Sequence, residues 1–213
     1  MDHIIHEIKG VKLRLLREKA LIWDEKKLLV LADLHLGKVT HFRKEGIPLP
    51  KEVEKDNYDR FSYLLLNNDL ERVIILGDLF HSEYNTEWQQ FMDFLSTFSH
   101  VSFDLVLGNH DILSYDQYTA DNLTIHETLF LAPFFMTHEP QKQDKQINMC
   151  GHIHPSIIMK GKGLQSLRLP CFHLSHDGLI LPAFGAFTGT HSISPSEEDD
   201  IFVISGEAII KVL

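Results

Sequence analysis

Short apolar runs alternate with stretches of helical periodicity over the first half of the chain. The runs Leu28–Ala32, Arg72–Leu76 and 103–107 are almost continuously apolar, which is typical of strands buried on both faces. Between them, the spacing of apolar residues predicts helices over 51–66 and from Thr86 onward, where Thr86 opens a sequence that resembles a capping box. This alternation favours parallel strands joined by crossover helices.

After residue 123 the pattern changes to successive strands separated by turns. We predict strands at 123–128, 130–137, 147–150, 156–160, 167–174, 179–181, 201–204 and 208–212. Near the N-terminus, residues 11–15 alternate apolar with basic, and 20–32 have the pattern of a hairpin. We therefore expect two packed sheets with helices on their outer faces. No linker, repeat or low-complexity segment divides the chain, so 1–213 is interpreted as a single domain.

Composition and charge narrow the choice of function. The chain of 213 residues has 44% hydrophobic and 23% charged residues, as expected for a globular protein, and a formal net charge of -10. Such a charge excludes a global electrostatic attraction to nucleic acid, so a polyanion would need a local basic patch or bound cations. Two cysteines are too few for a disulfide framework, and neither a signal peptide nor a spanning apolar segment is evident, which favours a cytoplasmic protein without a membrane partner.

Residues able to bind a metal follow one predicted strand after another. The set consists of carboxylates, an amide and imidazoles: Asp33, His35, Asp78, Asn109, His110, His138, His152 and His154. Oxygen and imidazole ligands without thiolate suit Mn²⁺, Fe or Zn²⁺, and the set exceeds what one ion needs. Ligands gather at the carboxyl ends of strands in open α/β sheets, so we expect a two-metal centre for phosphoryl transfer or hydrolysis. Polar turns with core histidines are the alternative, but five such strand endings are difficult to explain in that way.

Five motifs occur in a fixed order along the chain. They are Asp33-Leu34-His35, Gly77-Asp78, Gly108-Asn109-His110-Asp111, His138 and Gly151-His152-Ile153-His154. Over about 29–154 the sequence resembles the calcineurin-like metallophosphoesterases, a resemblance that implies an α/β fold in which a four-layer αββα sandwich contains two mixed β-sheets flanked by helices. Thr137 stands before His138, where many members of that family have glycine.

The resemblance also implies a ligand assignment for two divalent ions bridged by Asp78. One ion is expected on Asp33, His35, Asp78 and His154, and the other on Asp78, Asn109, His138 and His152. Mn²⁺ is the expected metal, with Fe or Zn²⁺ as alternatives, and a bridging hydroxide is the expected nucleophile because two cations lower the pKa of a shared water. His110 is placed to protonate or stabilise the departing oxygen, and Asp111 to orient its ring.

A closer resemblance adds the blocks 33–38, 42–50, 77–82 and 181–185. They are similar to bacterial phosphoesterases associated with a DNA-damage-response ligase and helicase. This likeness implies a phosphodiesterase or endonuclease that hydrolyses DNA in repair, with a ligase or helicase as partner. The acidity of the chain favours the alternative, a phosphodiesterase or phosphatase acting on a small nucleotide or phosphorylated metabolite. A scaffold protein of this fold would have lost ligand positions, and none is lost here.

Basic and imidazole side chains near the motifs are candidate substrate contacts. They are Lys38, His41, Arg43 and His81. Those in the loop after residue 37 could bind phosphates beside the metals, although a solvated charged loop explains them nearly as well. His81 could contact substrate, or donate a hydrogen bond from behind the metal ligands, or simply lie at the surface.

Overall fold

A computed structural model describes residues 1–38, 52–80, 86–113, 118–161, 165–186 and 188–213. Two β-sheets pack face to face. The strands of the first sheet are β1 (His3–Ile8), β2 (Val11–Leu16), β3 (Leu21–Trp23), β4 (Leu28–Ala32), β5 (Arg72–Leu76), β6 (Ser102–Val106) and β7 (Leu123–His126). They lie side by side in that order. β1 to β4 pair antiparallel and β4 to β7 pair parallel, so the carboxyl ends of β4, β5 and β6 share one edge.

Two α-helices connect the parallel strands, as the alternating pattern predicts. Helix α1 (Glu52–Leu66) leads from β4 to β5, and α2 (Thr86–Thr97) leads from β5 to β6. Their apolar faces, which include Phe61 and Phe91, are buried against the outer face of the first sheet, where Leu29 and Leu31 also lie. Neither α1 nor α2, nor any other helix in the described ranges, is long and apolar enough to cross a membrane.

The second sheet is formed by the C-terminal half of the chain. Its strands are β8 (Leu129–Leu131), β9 (Phe134–Met136), β10 (Ile147–Cys150), β11 (Pro155–Lys160), β12 (Ser166–Ser175), β13 (Gly178–Ile180), β14 (His191–Ser192), β15 (Asp200–Ile204) and β16 (Ile209–Lys211). The order is β14, β11, β12, β13, β10, β9, β8, with β15 paired to β12 and to β16. β10 pairs parallel with β9 and β13, whereas β12 pairs antiparallel with β11, β13 and β15, so this sheet is mixed as well.

A second core, beside the one under the helices, lies between the two sheets. Leu28, Val30 and Ala32 point into it from β4, and Phe172 and Phe202 fill it from the second sheet. Alternate residues of β4 thus face the inter-sheet core and the helices, which explains why the run is continuously apolar. The predicted class, an α/β fold with two mixed sheets, is confirmed. Both α-helices in the described ranges belong to the first sheet's outer layer.

Three parts of the two sheets differ from the sequence prediction. The strand expected over 130–137 is an antiparallel hairpin of β8 and β9, with Leu129 opposite Met136. Pro133 lies between the two strands, and a proline has no N–H to donate to a strand ladder. The strands β1 and β14 were not predicted, because the residues of β1 do not alternate between apolar and polar and β14 is only two residues long.

Candidate metal centre

The carboxyl ends of strands from both sheets meet at one edge of the sandwich. Seven predicted ligands lie there: Asp33 and His35 after β4, Asp78 after β5, Asn109 after β6, His138 after β9, and His152 and His154 after β10. Within the second sheet, β10 runs parallel to β9 and the N–H of Gly151 donates to the carbonyl of His138 over 3.1 Å. Between the sheets, the N–H of His152 donates to Oδ2 of Asp33 over 2.9 Å. Ligands separated by more than a hundred residues in sequence are thereby brought together.

Five of these residues have the left-handed backbone conformation. The φ angles are 54° at Asp33, 48° at His35, 50° at Asp78, 67° at His152 and 51° at His154. This region is uncommon for residues with a Cβ and costs roughly 1–3 kcal/mol at each position. Such residues cluster at functional sites, where the surrounding structure holds them, and here each one turns a side chain from the end of a strand into the shared edge.

The first group of donor atoms, from Asp33, His35, Asp78 and His154, is compact enough to bind one ion. The Nε2 atoms of His35 and His154 are 3.4 Å apart, and Nε2 of His154 is 3.4 Å from Oδ1 of Asp33. Nε2 of His35 lies 3.7 Å from Oδ2 of Asp78. Atoms that share an ion at about 2.1 Å lie roughly 3.0–3.4 Å from one another, so the group has the spacing of a metal site with one slightly longer separation.

The second group is centred on His138. Its Nε2 lies 3.0 Å from Oδ1 of Asn109, 3.0 Å from Nδ1 of His152 and 3.4 Å from Oδ1 of Asp78. The two oxygens of Asp78 therefore face different groups, Oδ2 toward His35 and Oδ1 toward His138. A carboxylate in this orientation can bridge two cations.

The orientation of the His138 ring supports the fit to a cation. Its Nδ1 lies 3.0 Å from the carbonyl oxygen of Leu76, which can only accept, so Nδ1 carries a hydrogen. Nε2 is therefore the ring nitrogen that faces the oxygens of Asn109 and Asp78, and these oxygens are acceptors. Acceptors converging at these distances repel one another unless a cation lies among them, and oxygen with imidazole suits Mn²⁺, Fe or Zn²⁺.

Asp33 is fixed by a loop that needs a glycine. The backbone N–H of His152 donates to Oδ2 of Asp33 over 2.9 Å, so the 151–154 loop approaches this carboxylate closely. A Cβ built on Gly151 would lie 2.5 Å from Oδ2 of Asp33 and 2.6 Å from Cβ of Ala32. Only glycine allows this approach, which explains the residue that opens the last motif.

His110 and Asp111 are neighbours in the loop after β6, but they make different contacts. The His110 backbone N–H donates to Oδ1 of Asp78 over 3.0 Å, and its ring centroid is 5.7 Å from that of His35. Among the described residues, the hydrogen bonds of the Asp111 carboxylate go to backbone N–H groups, those of Gly108 (2.9 Å), Leu79 (2.9 Å) and Phe80 (3.4 Å). Asp111 thus joins the loop after β6 to the loop after β5.

Burial dominates the electrostatics of Asp111. Removal from water raises the pKa of this carboxyl to about 7, the negative charge of Asp78 adds to the rise, and the three backbone donors oppose it. Positive charge brought to Asp78 would therefore favour the ionised form of Asp111, the form in which its oxygens accept all three hydrogen bonds.

Of the four candidate substrate contacts, only Lys38 belongs to the described residues. It is partly buried at the edge of the site, where burial lowers the pKa of its ammonium group and the charges of Asp78 and Asp33 oppose that shift. His41, Arg43 and His81 lie outside the described residues.

Two residues of α1 support the site, although they lie outside the five motifs and were not predicted from the sequence. Oδ1 of the buried Asn57 accepts the N–H of Ala186 over 2.9 Å and a guanidinium N–H of Arg60 over 3.2 Å. Arg60 also donates to the carbonyl of Phe184. Phe184 and Gly185 in turn donate to the carbonyls of Ala32 and Asp33 over 2.8 and 3.0 Å. The block 181–185 was the only signal for this link.

Replacing Asn57 by alanine should loosen the 184–186 segment and, through it, Asp33. Loss of a buried acceptor costs about 1–3 kcal/mol, so we expect a lower Tm. Because groups that support metal ligands contribute about tenfold or more to metal affinity, we also expect roughly tenfold weaker Mn²⁺ binding. Asn57→Asp, which keeps the oxygen, should restore most of the affinity. Asn67→Ala is the control, because Asn67 follows the same helix and, among the described residues, its exposed side chain donates only to the carbonyl of Tyr63. Equal Tm and equal Mn²⁺ affinity for Asn57→Ala and Asn67→Ala would contradict this role.

The family profile described as calcineurin-like phosphoesterase matches residues 26–177. Among curated proteins, no sequence matches the chain. The crystal structure of Pseudomonas putida nuclease MPE is similar over 99% of this chain and 100% of that chain, with a TM-score of 0.84 and 28% sequence identity. Vps29 of Chaetomium thermophilum covers 84% of this chain and 82% of its own, with 11% identity and a TM-score of 0.38, which is too distant to support any conclusion.

Proposed function

Because this chain belongs to the calcineurin-like phosphoesterase family and is a metal-dependent phosphoester hydrolase, we propose that it hydrolyses phosphodiester bonds of nucleic acid, DNA above all. The action is that of an endonuclease or phosphodiesterase in DNA repair. A ligase or helicase partner would deliver DNA to a chain whose net charge of -10 does not attract it. The observation that carries the proposal is the likeness to a nuclease over the whole chain at 28% identity.

The seven ligands divide between two cations according to the donor groups described above. Asp33, His35 and His154 would hold one ion with Oδ2 of Asp78, and Asn109, His138 and His152 would hold the other with Oδ1 of Asp78. Mn²⁺ is the proposed metal. When bound, the ions would neutralise the non-bridging phosphate oxygens and lower the pKa of a water molecule. The left-handed residues fix these ligands before substrate arrives, so little reorganisation is needed.

His110 is proposed to donate a proton to the oxygen of the departing strand. Its backbone is held on Asp78, and its ring lies beside His35, at the rim of the first donor group. General acid catalysis of this kind contributes about 10²–10⁴-fold. Asp111 is proposed to act on His110 indirectly, because its carboxylate holds the 108–111 loop against the loop that carries Asp78.

His110→Ala should lower kcat by about a hundredfold on a diester with a poor leaving group, because such a leaving group needs the proton that His110 is proposed to donate. The loss should be much smaller for a 4-nitrophenyl ester, whose leaving group needs no proton. Metal content, determined by elemental analysis, should remain that of the wild type. Unchanged turnover of the poor substrate, or a loss of metal, would remove His110 from this role.

The proposed function is tested on a panel of substrates. With Mn²⁺ present, we expect cleavage of plasmid DNA and of DNA oligonucleotides, abolished by thorough chelation and restored by Mn²⁺. The acidity of the chain favours a second candidate, a small nucleotide or phosphorylated metabolite, so nucleotides and monoesters complete the panel. Rapid turnover of a nucleotide without cleavage of any nucleic acid would reject the proposed function and support the second candidate.

A further inference from the structure

A cavity of about 620 Å³ lies between the turn that joins β2 to β3, helix α1 and the edge of the second sheet. Charged side chains dominate its walls: Arg17, Glu18, Lys19, Asp56 and Arg60. The cavity lies at the same end of the first sheet as the candidate metal centre, because β3 runs antiparallel to β4 and the turn before β3 is therefore level with the carboxyl end of β4. None of the five motifs contributes a residue to it.

Arg60 connects this cavity to the metal centre. Its guanidinium lies 4.3 Å from the ring centroid of Phe184 and donates to the carbonyl of the same residue. The next residue, Gly185, donates to the carbonyl of Asp33 over 3.0 Å. The cavity wall is thus linked to a proposed metal ligand through a single short segment.

Lys19 is the cation of the cavity that lacks a partner. The two arginines have acidic neighbours, with Nε of Arg17 3.0 Å from Glu18 and 3.5 Å from Asp2, and Nη1 of Arg60 3.6 Å from Asp56. In the described part of the chain, Nζ of Lys19 has no hydrogen bond or ion pair. Burial and then the charge of Arg60 lower the pKa of Lys19 to about 8, whereas the charge of Asp56 opposes that shift. An anion in the cavity would give Lys19 a partner.

We propose that this cavity binds a phosphate group of the nucleic acid strand, a neighbour of the phosphate at the metal centre, through Lys19 and Arg60. The inference rests on the proposed function, because only a polymer carries a second phosphate into the cavity while the first is at the metals. Arginine and lysine are the usual donors to backbone phosphates. The site would supply a local cationic contact for phosphate on a protein whose net charge of -10 does not attract nucleic acid.

Lys19→Met tests this site, and Lys9→Met is its matched control. Both lysines have a left-handed backbone, with φ of 65° at Lys19 and 51° at Lys9. They lie in the turns at the two ends of β2, Lys9 before the strand and Lys19 after it. We expect Lys19→Met to raise KM for a single-stranded DNA oligonucleotide roughly five- to tenfold. The slope of log affinity against log salt should fall by about 0.7, the value for one lost phosphate contact on a single strand. Lys9→Met should change neither.

A small diester separates the possible outcomes. Bis(4-nitrophenyl) phosphate reaches the metals but not the cavity, so its kcat and KM should be unchanged in Lys19→Met and in Lys19→Gln. Equal oligonucleotide KM and salt slope for the Lys19 and Lys9 variants would overturn the phosphate site and leave the nuclease intact. Loss of small-diester turnover in both Lys19 variants would show a structural role instead. A wild-type protein that hydrolyses the small diester but cuts no nucleic acid would overturn the proposed function, and this site with it.

Discussion

Asp78→Asn should lower kcat about ten-thousandfold, or ~5 kcal/mol in the activation barrier at 1.36 kcal/mol per tenfold. The carboxylate offers Oδ2 to the His35 group and Oδ1 to the His138 group, whereas an asparagine has one neutral oxygen and an amide that donates. The variant would therefore hold one ion weakly and lack the charge that bridges two. We expect elemental analysis to find about one metal ion or fewer per chain, and hydrolysis of a small diester to show the loss in rate.

The matched control for this prediction is Asp199→Asn. Asp199 also faces an imidazole, with Oδ2 2.8 Å from Nε2 of His173, but it lies in the second sheet's loops away from the motifs. This control should keep its metal content and its rate. A fully active Asp78→Asn protein with two bound ions would contradict the proposed bridging role.

Gly108→Ala should lower hydrolysis about a thousandfold without unfolding the protein. A Cβ at this position would fall far inside contact distance of the backbone N and Oδ1 of Asp78, and 3.1 Å from Cα of Gly77. The loop after β6 and the loop after β5 would have to separate. Misplacing a reacting group by about one ångström lowers the rate about a hundredfold. Displacing the groups that hold the metal ligands lowers metal affinity, and thereby the rate, about tenfold more. Measurements of kcat, metal affinity and Tm test the prediction.

Gly161→Ala controls for the methyl group itself. Its added Cβ would make only ordinary contacts of 3.5 Å or more with Gln165, so rate and metal affinity should not change. If Gly108→Ala retained the wild-type rate and affinity, the two loops could move apart without moving Asp78, and the close approach would have no catalytic significance.

Local sequence determined the chemistry and most of the elements. Strand β4 alternates between the helix-facing and the inter-sheet core, so all five of its residues are apolar and its position could be predicted. The candidate ligands could be selected because metal chemistry restricts residue types, and the structure brings them to one edge because each motif follows the end of a strand. The hairpin of β8 and β9 could not be located as well, since an apolar run does not reveal where its strands break, although Pro133 was a signal.

Only the tertiary structure decided how these residues act together. The sequence placed Asp111 beside His110, and folding instead placed its carboxylate on the backbone amides of two loops. Three further features depend on segments that are far apart in the chain. They are the two donor groups that share Asp78, the hydrogen bond from Ala186 to Asn57, and the cavity at Lys19. Hydrophobic periodicity and motif spacing report on neighbours in sequence, whereas a hydrogen bond or an ion pair depends on distances that exist only after the two sheets have packed.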